Sequence, residues 1–325
     1  MYIITGGAGF IGSAAVWRFN QEGVDDILIV DNLGATDKWK NLAGLRYRDY
    51  LHRDEFLRRI LRGKAPDKVE AVIHMGACSS TTERDADFLM ANNVHYAQAV
   101  CRYALKRGAR FIQASSAATY GDGSQGFADD PAGLFRLKPL NVYGYSKQLF
   151  DLWALRENLL GSIVCLKFFN VYGPNEYHKG DMRSLICKAV EQLRAGGELR
   201  LFRSYRPDYA DGGQMRDFVY VKDCVAIIRW LLDNPEVNGI LNAGSGKART
   251  WNDLAGAVFA AMGRPVNVAY ADMPEALRGG YQYFTQADMG WLKRHDCPAA
   301  FHSLEDGVRD YVCNYLLGDD PYLSA

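Results

Sequence analysis

The chain has 325 residues, of which 48% are hydrophobic, so it is long enough to bury a large core. Its 38 basic and 38 acidic residues give zero net charge, which argues against general attraction to nucleic acid or anionic membranes. Seven cysteines lack a CxxC pair and six histidines lack ligand spacing, so we expect no metal site and reduced, cytoplasmic thiols. We expect neither a signal peptide nor, without roughly 18 consecutive apolar residues, a membrane span.

Short apolar runs alternate with helical patterns through the first half of the chain. Strands are predicted at 2–5, 27–30, 45–50, 69–74, 110–114 and 163–168, and helices at 11–21, 54–62, 93–106 and 142–158. Strands that alternate with helices favour right-handed βαβ units. The first half therefore predicts an α/β fold with a Rossmann-type, doubly wound parallel sheet.

The alternation becomes less regular after about residue 170. A strand is predicted at 218–221 with a helix after it, then a strand and turn over 239–246 and a helix over 251–262. We therefore predict a dinucleotide-binding Rossmann domain over 1–170. Residues 171–325 are predicted to form mainly a smaller C-terminal α/β substrate lobe, interleaved with the main sheet.

A glycine-rich segment, TGGAGFIGS at 5–13, follows the first strand and opens the first helix. Its GxGxxG spacing permits a tight turn and brings a pyrophosphate to the free N–H groups of the helix start. Asp31 ends the second strand, where an acidic side chain usually binds ribose hydroxyls. Lys38 and Arg53 would neutralise a 2′-phosphate, so spacing alone leaves the choice between NAD and NADP open.

A candidate acid/base group lies in the segment NVYGYSK at 141–147. Tyr143 and Lys147 are four residues apart and share one helix face, so the ammonium is predicted to lower the pKa of the phenol from about 10. Ser116 follows the fifth strand, whose end lines the crevice of an open α/β sheet. The three side chains predict proton transfer beside a nicotinamide, with hydride transfer at a carbinol carbon.

Several motifs together resemble the extended short-chain dehydrogenase/reductase family, which includes the NAD-dependent epimerases and dehydratases. They are TGGAGFIGS, SSAATYG, YxxxK, FNVYGP at 169–174 and RDFVYV at 216–221. Other segments are similar to family members that epimerise an ADP-heptose at C6, in the synthesis of a lipopolysaccharide core precursor. These segments are GACSSTTE at 76–83, PLNVYGYSK at 139–147, HKG at 178–180 and YQYFTQAD at 281–288.

The resemblance implies an NADP-dependent isomerase, with NAD as the alternative cofactor, that forms a homo-oligomer, often a pentamer. It implies that Tyr143 is the acid/base, Lys147 its support and a ribose ligand, Ser116 the catalytic hydroxyl and Lys179 a second proton-transfer residue. The implied cofactor contacts are Gly6, Gly9, Phe10, Ile11, Gly12, Asp31, Asn32, Lys38, Arg53, Met75, Gly76, Ala77, Cys78, Ser79, Asn92, Lys147, Val171 and Lys179. The implied substrate contacts are Ser116, Asn170, Asp181, Lys188, Phe202, Arg203, Ser204, Arg216 and Tyr281.

The chain departs from the family pattern at Asp181, Lys188 and Arg53, and its 205–214 loop is longer than the pattern predicts. Ala117 and Ala118 stand where dehydratases of the family carry an Asp-Glu pair, which argues against elimination. Two alternatives stay open. The chain is another nucleotide-sugar epimerase, such as a UDP-hexose 4-epimerase, or a non-catalytic NAD(P)-binding regulator.

Overall fold

A computed structural model describes residues 1–278, 280–298 and 301–325 of the chain. The strands are β1 (Tyr2–Thr5), β2 (Ile27–Asp31), β3 (Asp49–His52), β4 (Ala71–His74), β5 (Arg110–Ser116), β6 (Val164–Phe168), β7 (Asn170–Tyr172), β8 (Leu199–Phe202), β9 (Met215–Tyr220), β10 (Gly239–Ala243), β11 (Ala248–Thr250) and β12 (Val268–Ala271). The helices are α1 (Phe10–Gln21), α2 (Arg53–Leu61), α3 (Ala86–Leu89), α4 (Tyr96–Lys106), α5 (Val142–Arg156), α6 (Leu185–Arg194), α7 (Val221–Asp233), α8 (Trp251–Ala261), α9 (Glu275–Arg278), α10 (Gly290–Arg294) and α11 (Leu304–Tyr311).

A seven-stranded parallel sheet in the order β10-β6-β5-β4-β1-β2-β3 forms the centre of the molecule. Its strands β2, β4 and β6 are buried along their whole length, as apolar runs that are covered on both faces should be. The chain order reverses between β1 and β4, which lie side by side. The predicted doubly wound Rossmann-type sheet is therefore confirmed.

The predicted elements of the first half are present, with shifted ends. The strand predicted at 45–50 forms at Asp49–His52, and the helix predicted at 93–106 begins with a π-helical turn, Met90–His95, before α4. π-helical turns occur mostly where a side chain is needed at a site. Asn92 and Asn93, both in this turn, have the site contacts described below.

The second half contributes one strand to the central sheet and forms two small sheets beside it. Strand β10 pairs with β6, while β7, β9 and β11 form one small sheet and β8 pairs with β12. The division at residues 170 and 171 stays a prediction, because strands from both parts share these sheets. None of the helices in the described part of the chain has the length and apolar content needed to span a membrane.

Candidate active site

A cleft of about 580 Å³ opens at the carboxyl ends of β1, β2, β4 and β5, where the strand order reverses. Open α/β sheets bind their ligands at this position. The structure brings all the predicted cofactor and catalytic residues to its lining. They are Gly6, Gly9, Phe10, Ile11, Gly12, Asp31, Asn32, Lys38, Arg53, Met75, Gly76, Ala77, Cys78, Ser79, Asn92, Ser116, Tyr143, Lys147, Val171 and Lys179.

The glycine-rich turn between β1 and α1 leaves no room for side chains at two positions. A β carbon on Gly12 would lie 2.1 Å from the carbonyl oxygen of Gly6, and Gly6 has a positive φ of 65°. Gly9 caps α1, so the first helical residues, Phe10 and Ile11, line the cleft. The first N–H groups of a helix lack partners within it and attract anions. This cradle therefore fits a dinucleotide pyrophosphate.

The end of β2 holds a buried carboxylate beside two cationic side chains. Asp31 accepts hydrogen bonds from the backbone N–H of Ala8 at 2.8 Å and from the Lys38 ammonium at 2.5 Å. Arg53, at the start of α2, hydrogen-bonds the side chain of Asn92. The Asp31 carboxylate can accept hydrogen bonds from ribose hydroxyls, and the two cations fit a phosphate on that ribose.

Asn93, which the sequence reasoning missed, connects the segment after β4 to α5. Its side chain accepts from the N–H of Cys78 at 2.9 Å and donates to the carbonyl of Cys78 at 3.0 Å. It also donates to the hydroxyl of Ser146 at 3.0 Å. The Asn-Asn pair near the start of the predicted helix was the available signal. These bonds fix the floor of the cleft relative to the helix that carries Tyr143.

The start of α5 brings Tyr143 next to Ser116. Asn141 caps the helix by accepting from the N–H of Gly144 at 2.8 Å. A β carbon on Gly144 would lie 2.7 Å from the carbonyl oxygen of Ala118, so glycine permits close approach to the turn after β5. The phenol of Tyr143 faces Ser116 closely enough for hydrogen bonding to influence its pKa, and both residues line the cleft. The predicted hydroxyl pair therefore exists at the cleft wall.

The predicted lowering of the Tyr143 pKa is wrong for the polypeptide by itself. Part of the ring faces the cleft, but the walls enclose the phenol, and this burial raises its pKa while the hydrogen bond to Ser116 opposes the rise. The Lys147 ammonium instead donates to the carbonyl of Ala114 at 2.8 Å. Burial lowers the pKa of Lys147 to about 8, opposed by Asp151.

Lys179 lies on a short 3-10 helix, Tyr177–Met182, and also lines the cleft. Its ammonium lies 5.2 Å from the ring centroid of Phe10, at the start of α1. Burial lowers the pKa of Lys179, and Glu176 opposes this shift. His178, a cleft residue that the sequence reasoning missed although it belongs to the HKG motif, has a pKa lowered to about 4, chiefly by burial.

Three predicted substrate residues lie in or beside the cleft besides Ser116. Asn170 lines it, and Arg216 is buried with its guanidinium 4.9 Å from the ring of Tyr281 and 5.8 Å from that of Trp251. Trp251 lines the cleft and donates to the hydroxyl of Tyr281 at 2.9 Å. Sequence reasoning placed Trp251 at the start of a helix but missed this role. The cation and rings form one rigid group at the cleft edge.

Among the residues that the structure describes, the remaining predicted substrate contacts do not line the cleft. They are Asp181, Lys188, Phe202, Arg203 and Ser204. The Lys188 ammonium donates to the backbone carbonyl of Asp181 at 2.6 Å, and Arg203 is 56% exposed. The structure does not bring these five residues to Tyr143, so their substrate role stays a prediction.

The chain was compared with known proteins. It is 64% identical over 323 residues to the ADP-L-glycero-D-manno-heptose-6-epimerase of Nitratidesulfovibrio vulgaris, covering 99% of this chain and 100% of that one. It is 48% identical to the enzyme of the same name from Fusobacterium nucleatum, with the same coverage. The solved Helicobacter pylori ADP-L-glycero-D-manno-heptose-6-epimerase matches with a TM-score of 0.78 at 27% identity, over 96% of this chain and 94% of that one. Residues 2–244 match the model of the NAD dependent epimerase/dehydratase family, and the chain belongs to that family.

Proposed function

We propose that the chain inverts C6 of ADP-D-glycero-β-D-manno-heptose to give ADP-L-glycero-β-D-manno-heptose. Two relatives that match over their full length, at 64% and 48% identity, carry the name of this epimerase. The observation that carries the proposal is the grouping of Ser116, Tyr143 and Lys147 in a cleft that fits a dinucleotide. The chain is therefore an isomerase whose chemistry needs both proton and hydride transfer.

The family is NAD dependent, so the chain uses a nicotinamide dinucleotide. A bound cofactor would supply the acceptor for the C6 hydride and the donor that returns it to the opposite face of the ketone. Tyr143 takes the proton of the C6 hydroxyl while Ser116 donates a hydrogen bond to the same oxygen. Lys147 would bind the cofactor ribose, and the carbonyl of Ala114 holds its ammonium at the cleft lining.

Lys179 serves as a second acid/base in this proposal. Inversion requires the ketone to turn about its exocyclic bond, which moves the oxygen away from Tyr143. Burial lowers the pKa of Lys179, which brings its proton exchange closer to neutral pH. The Lys179→Met variant should therefore lose most turnover, about 100-fold, while it keeps its bound dinucleotide.

We further propose NADP rather than NAD as the cofactor. Lys38 pairs with the Asp31 carboxylate, and Arg53 lies at the same end of the cleft, so two cations are available for a 2′-phosphate. A homo-oligomer is proposed from the family resemblance alone. Light scattering of the purified chain gives its mass directly, and extraction of the protein identifies the dinucleotide that it carries.

The decisive experiment is incubation of the purified chain with ADP-D-glycero-β-D-manno-heptose without added cofactor, followed by proton NMR at C6. We expect an equilibrium mixture of the two C6 epimers. No inversion of the heptose, together with conversion of UDP-galactose, would replace the proposal by a 4-epimerase. Dinucleotide binding without turnover of either sugar would support a regulator.

A further inference from the structure

The helix face that carries Tyr143 and Lys147 also carries a buried carboxylate, that of Asp151. Asp151 lies one turn after Lys147, and its side chain is fully buried. We propose, on the basis of the proposed function, that Asp151 is a positioning residue that keeps the Lys147 ammonium charged and oriented toward the cleft. The spacing Tyr143, Lys147, Asp151 is visible in the sequence, but nothing there shows that the carboxylate is buried beside the site.

Asp151 is held by partners from two neighbouring strands. Its Oδ2 atom accepts a hydrogen bond from the hydroxyl of Ser115 on β5 at 2.8 Å. The same oxygen lies 3.3 Å from the ammonium of Lys167 on β6, and both side chains of this ion pair are fully buried. Because Ser115 precedes Ser116, these contacts couple α5 directly to the strand end that carries the catalytic hydroxyl.

Lys167 extends the same network to the turn after β5. Its ammonium donates to the hydroxyl of Thr119 at 2.7 Å and lies 4.6 Å from the ring centroid of Tyr120. Thr119 and Tyr120 belong to the 3-10 turn Ala117–Tyr120, which begins directly after Ser116. The ion pair therefore connects α5, β6 and the turn after β5 around the active-site hydroxyls. Asp151 and Lys167 do not line the cleft themselves.

Several titratable groups face Lys147 from the elements packed around it. Asp151 lies on α5, Cys165 on β6, Cys78 after β4 and His74 at the end of β4. The pKa of His74 is lowered to about 3 by burial and by Lys147, so this ring is neutral at physiological pH. Thiols are also largely neutral there, which leaves the Asp151 carboxylate as the negative charge of this group, with the Lys167 ammonium as the positive charge paired to it.

The charge of Asp151 acts against the burial of Lys147. Burial alone disfavours the ammonium, and Asp151 is the largest opposing influence on its pKa, which lies at about 8. Without the carboxylate, the ammonium would lose its proton at a lower pH. Activity that requires this ammonium is present below its pKa and is lost as the pH rises through it, so the alkaline limb of the rate profile should move to lower pH.

The test uses Asp151→Asn and the double variant Asp151→Asn/Lys167→Gln. The single variant leaves the buried Lys167 ammonium unpaired, which endangers folding; the double variant replaces the ion pair by a neutral pair of similar shape. The titration of Lys147 is followed by NMR of chains labelled with ¹³Cε-lysine, with and without NADP, and Lys147→Met identifies the signal. The pH dependence of epimerisation is measured on the same proteins.

We expect the Lys147 titration to move down by about one pH unit or more in Asp151→Asn and by less in the double variant, which also removes the Lys167 charge, with the alkaline limb of activity moving in parallel. Asp223→Asn, which changes a buried carboxylate in contact with His302 instead, serves as the matched control and should leave the titration unchanged. A folded Asp151→Asn variant in which Lys147 titrates as in the unaltered chain overturns the proposal, and where the single variant does not fold, an unchanged titration in the double variant does so. Because the titration does not depend on turnover, it is interpretable even if the substrate is a different nucleotide sugar.

Discussion

The two walls of the cleft are built in different ways. The dinucleotide wall consists of the glycine-rich turn at 5–13, the end of β2, the segment 75–79 and α5. The substrate wall is the group of Arg216, Tyr281 and Trp251 at the cleft edge, and β8 and the 203–214 segment lie beyond the cleft lining. On the first wall, backbone contacts and buried polar bonds fix each group, as at Gly12 and Asp31. On the second wall, stacked side chains such as Arg216 on Tyr281 determine the arrangement, and Arg203 is largely exposed.

The difference shows which contacts tolerate change. A backbone cradle accepts one kind of ligand geometry and fails when a single β carbon is added. Side chains that extend from short strands and a loop can be exchanged without altering the sheet beneath them. Of the departures from the family pattern, Asp181 and Lys188 lie on the 3-10 helix Tyr177–Met182 and on α6, outside the cleft lining, whereas Arg53 lies among the cofactor residues. If the two walls act independently, changes in the dinucleotide wall should affect turnover and cofactor retention, and changes in the substrate wall should affect substrate affinity.

The largest effect is expected from Tyr143→Phe, which removes the acid/base from the dinucleotide wall. Epimerisation should fall by about 10²–10⁴-fold, because proton transfer in the transition state is lost, while the bound dinucleotide is retained. Tyr145→Phe is the matched control, since Tyr145 lies on the same helix but is 49% exposed. C6 inversion followed by NMR measures both. Equal losses in the two variants would show that the phenol of Tyr143 has no special role.

Gly12→Ala should act on cofactor binding rather than on the chemistry. The new β carbon would lie 2.1 Å from the carbonyl oxygen of Gly6, so the turn must shift at a cost of about 3 kcal/mol. Dinucleotide affinity, measured by calorimetry on the stripped protein, should fall by roughly 100-fold. Gly256→Ala, in α8 with open space around the added carbon, should bind the dinucleotide normally. Retained affinity in Gly12→Ala would contradict the backbone cradle.

Arg216→Met should affect the substrate wall alone. We expect Arg216 to contact the substrate diphosphate, and loss of such a charged contact is worth about 2 kcal/mol, so KM should rise roughly 30-fold with the dinucleotide still bound. Arg200→Met removes an exposed guanidinium from β8 and provides the comparison. The measurement is steady-state kinetics with the ADP-heptose. A fall in dinucleotide retention instead would place Arg216 on the other wall.

The smallest effect is expected from Lys38→Ala, which tests cofactor choice within the dinucleotide wall. Removal of the ammonium beside Asp31 should weaken NADP binding by about 1 kcal/mol, roughly fivefold, and leave NAD binding equal or stronger. Lys40→Ala is the control, because Lys40 pairs with Asp37 on the protein surface. Calorimetric titration with each dinucleotide measures the difference. Parallel losses for both dinucleotides would argue against a 2′-phosphate site at Lys38.

The sequence predicted the central sheet and the dinucleotide wall well because both depend on local patterns. Strands such as β1 formed where predicted. The glycine spacing placed Gly6 and Gly12 in a turn that has no room for a larger residue at either position. The short strands β7, β8, β11 and β12 were not predicted, because they are only partly buried and lack the continuous apolar run that marks β1. The predicted effect of Lys147 on Tyr143 failed because spacing indicates proximity along a helix but not burial or competing partners.

By itself, the sequence determined the parallel Rossmann sheet, the glycine turn and the helix face that carries Tyr143, Lys147 and Asp151, since each follows from residue spacing within one element. The tertiary structure alone decided which partners these side chains meet. It set Lys147 against the carbonyl of Ala114 and paired Asp151 with Lys167, which is 16 residues further on and in a different element. Desolvation and pairing of charges depend on the packing of distant segments, and no local pattern encodes them.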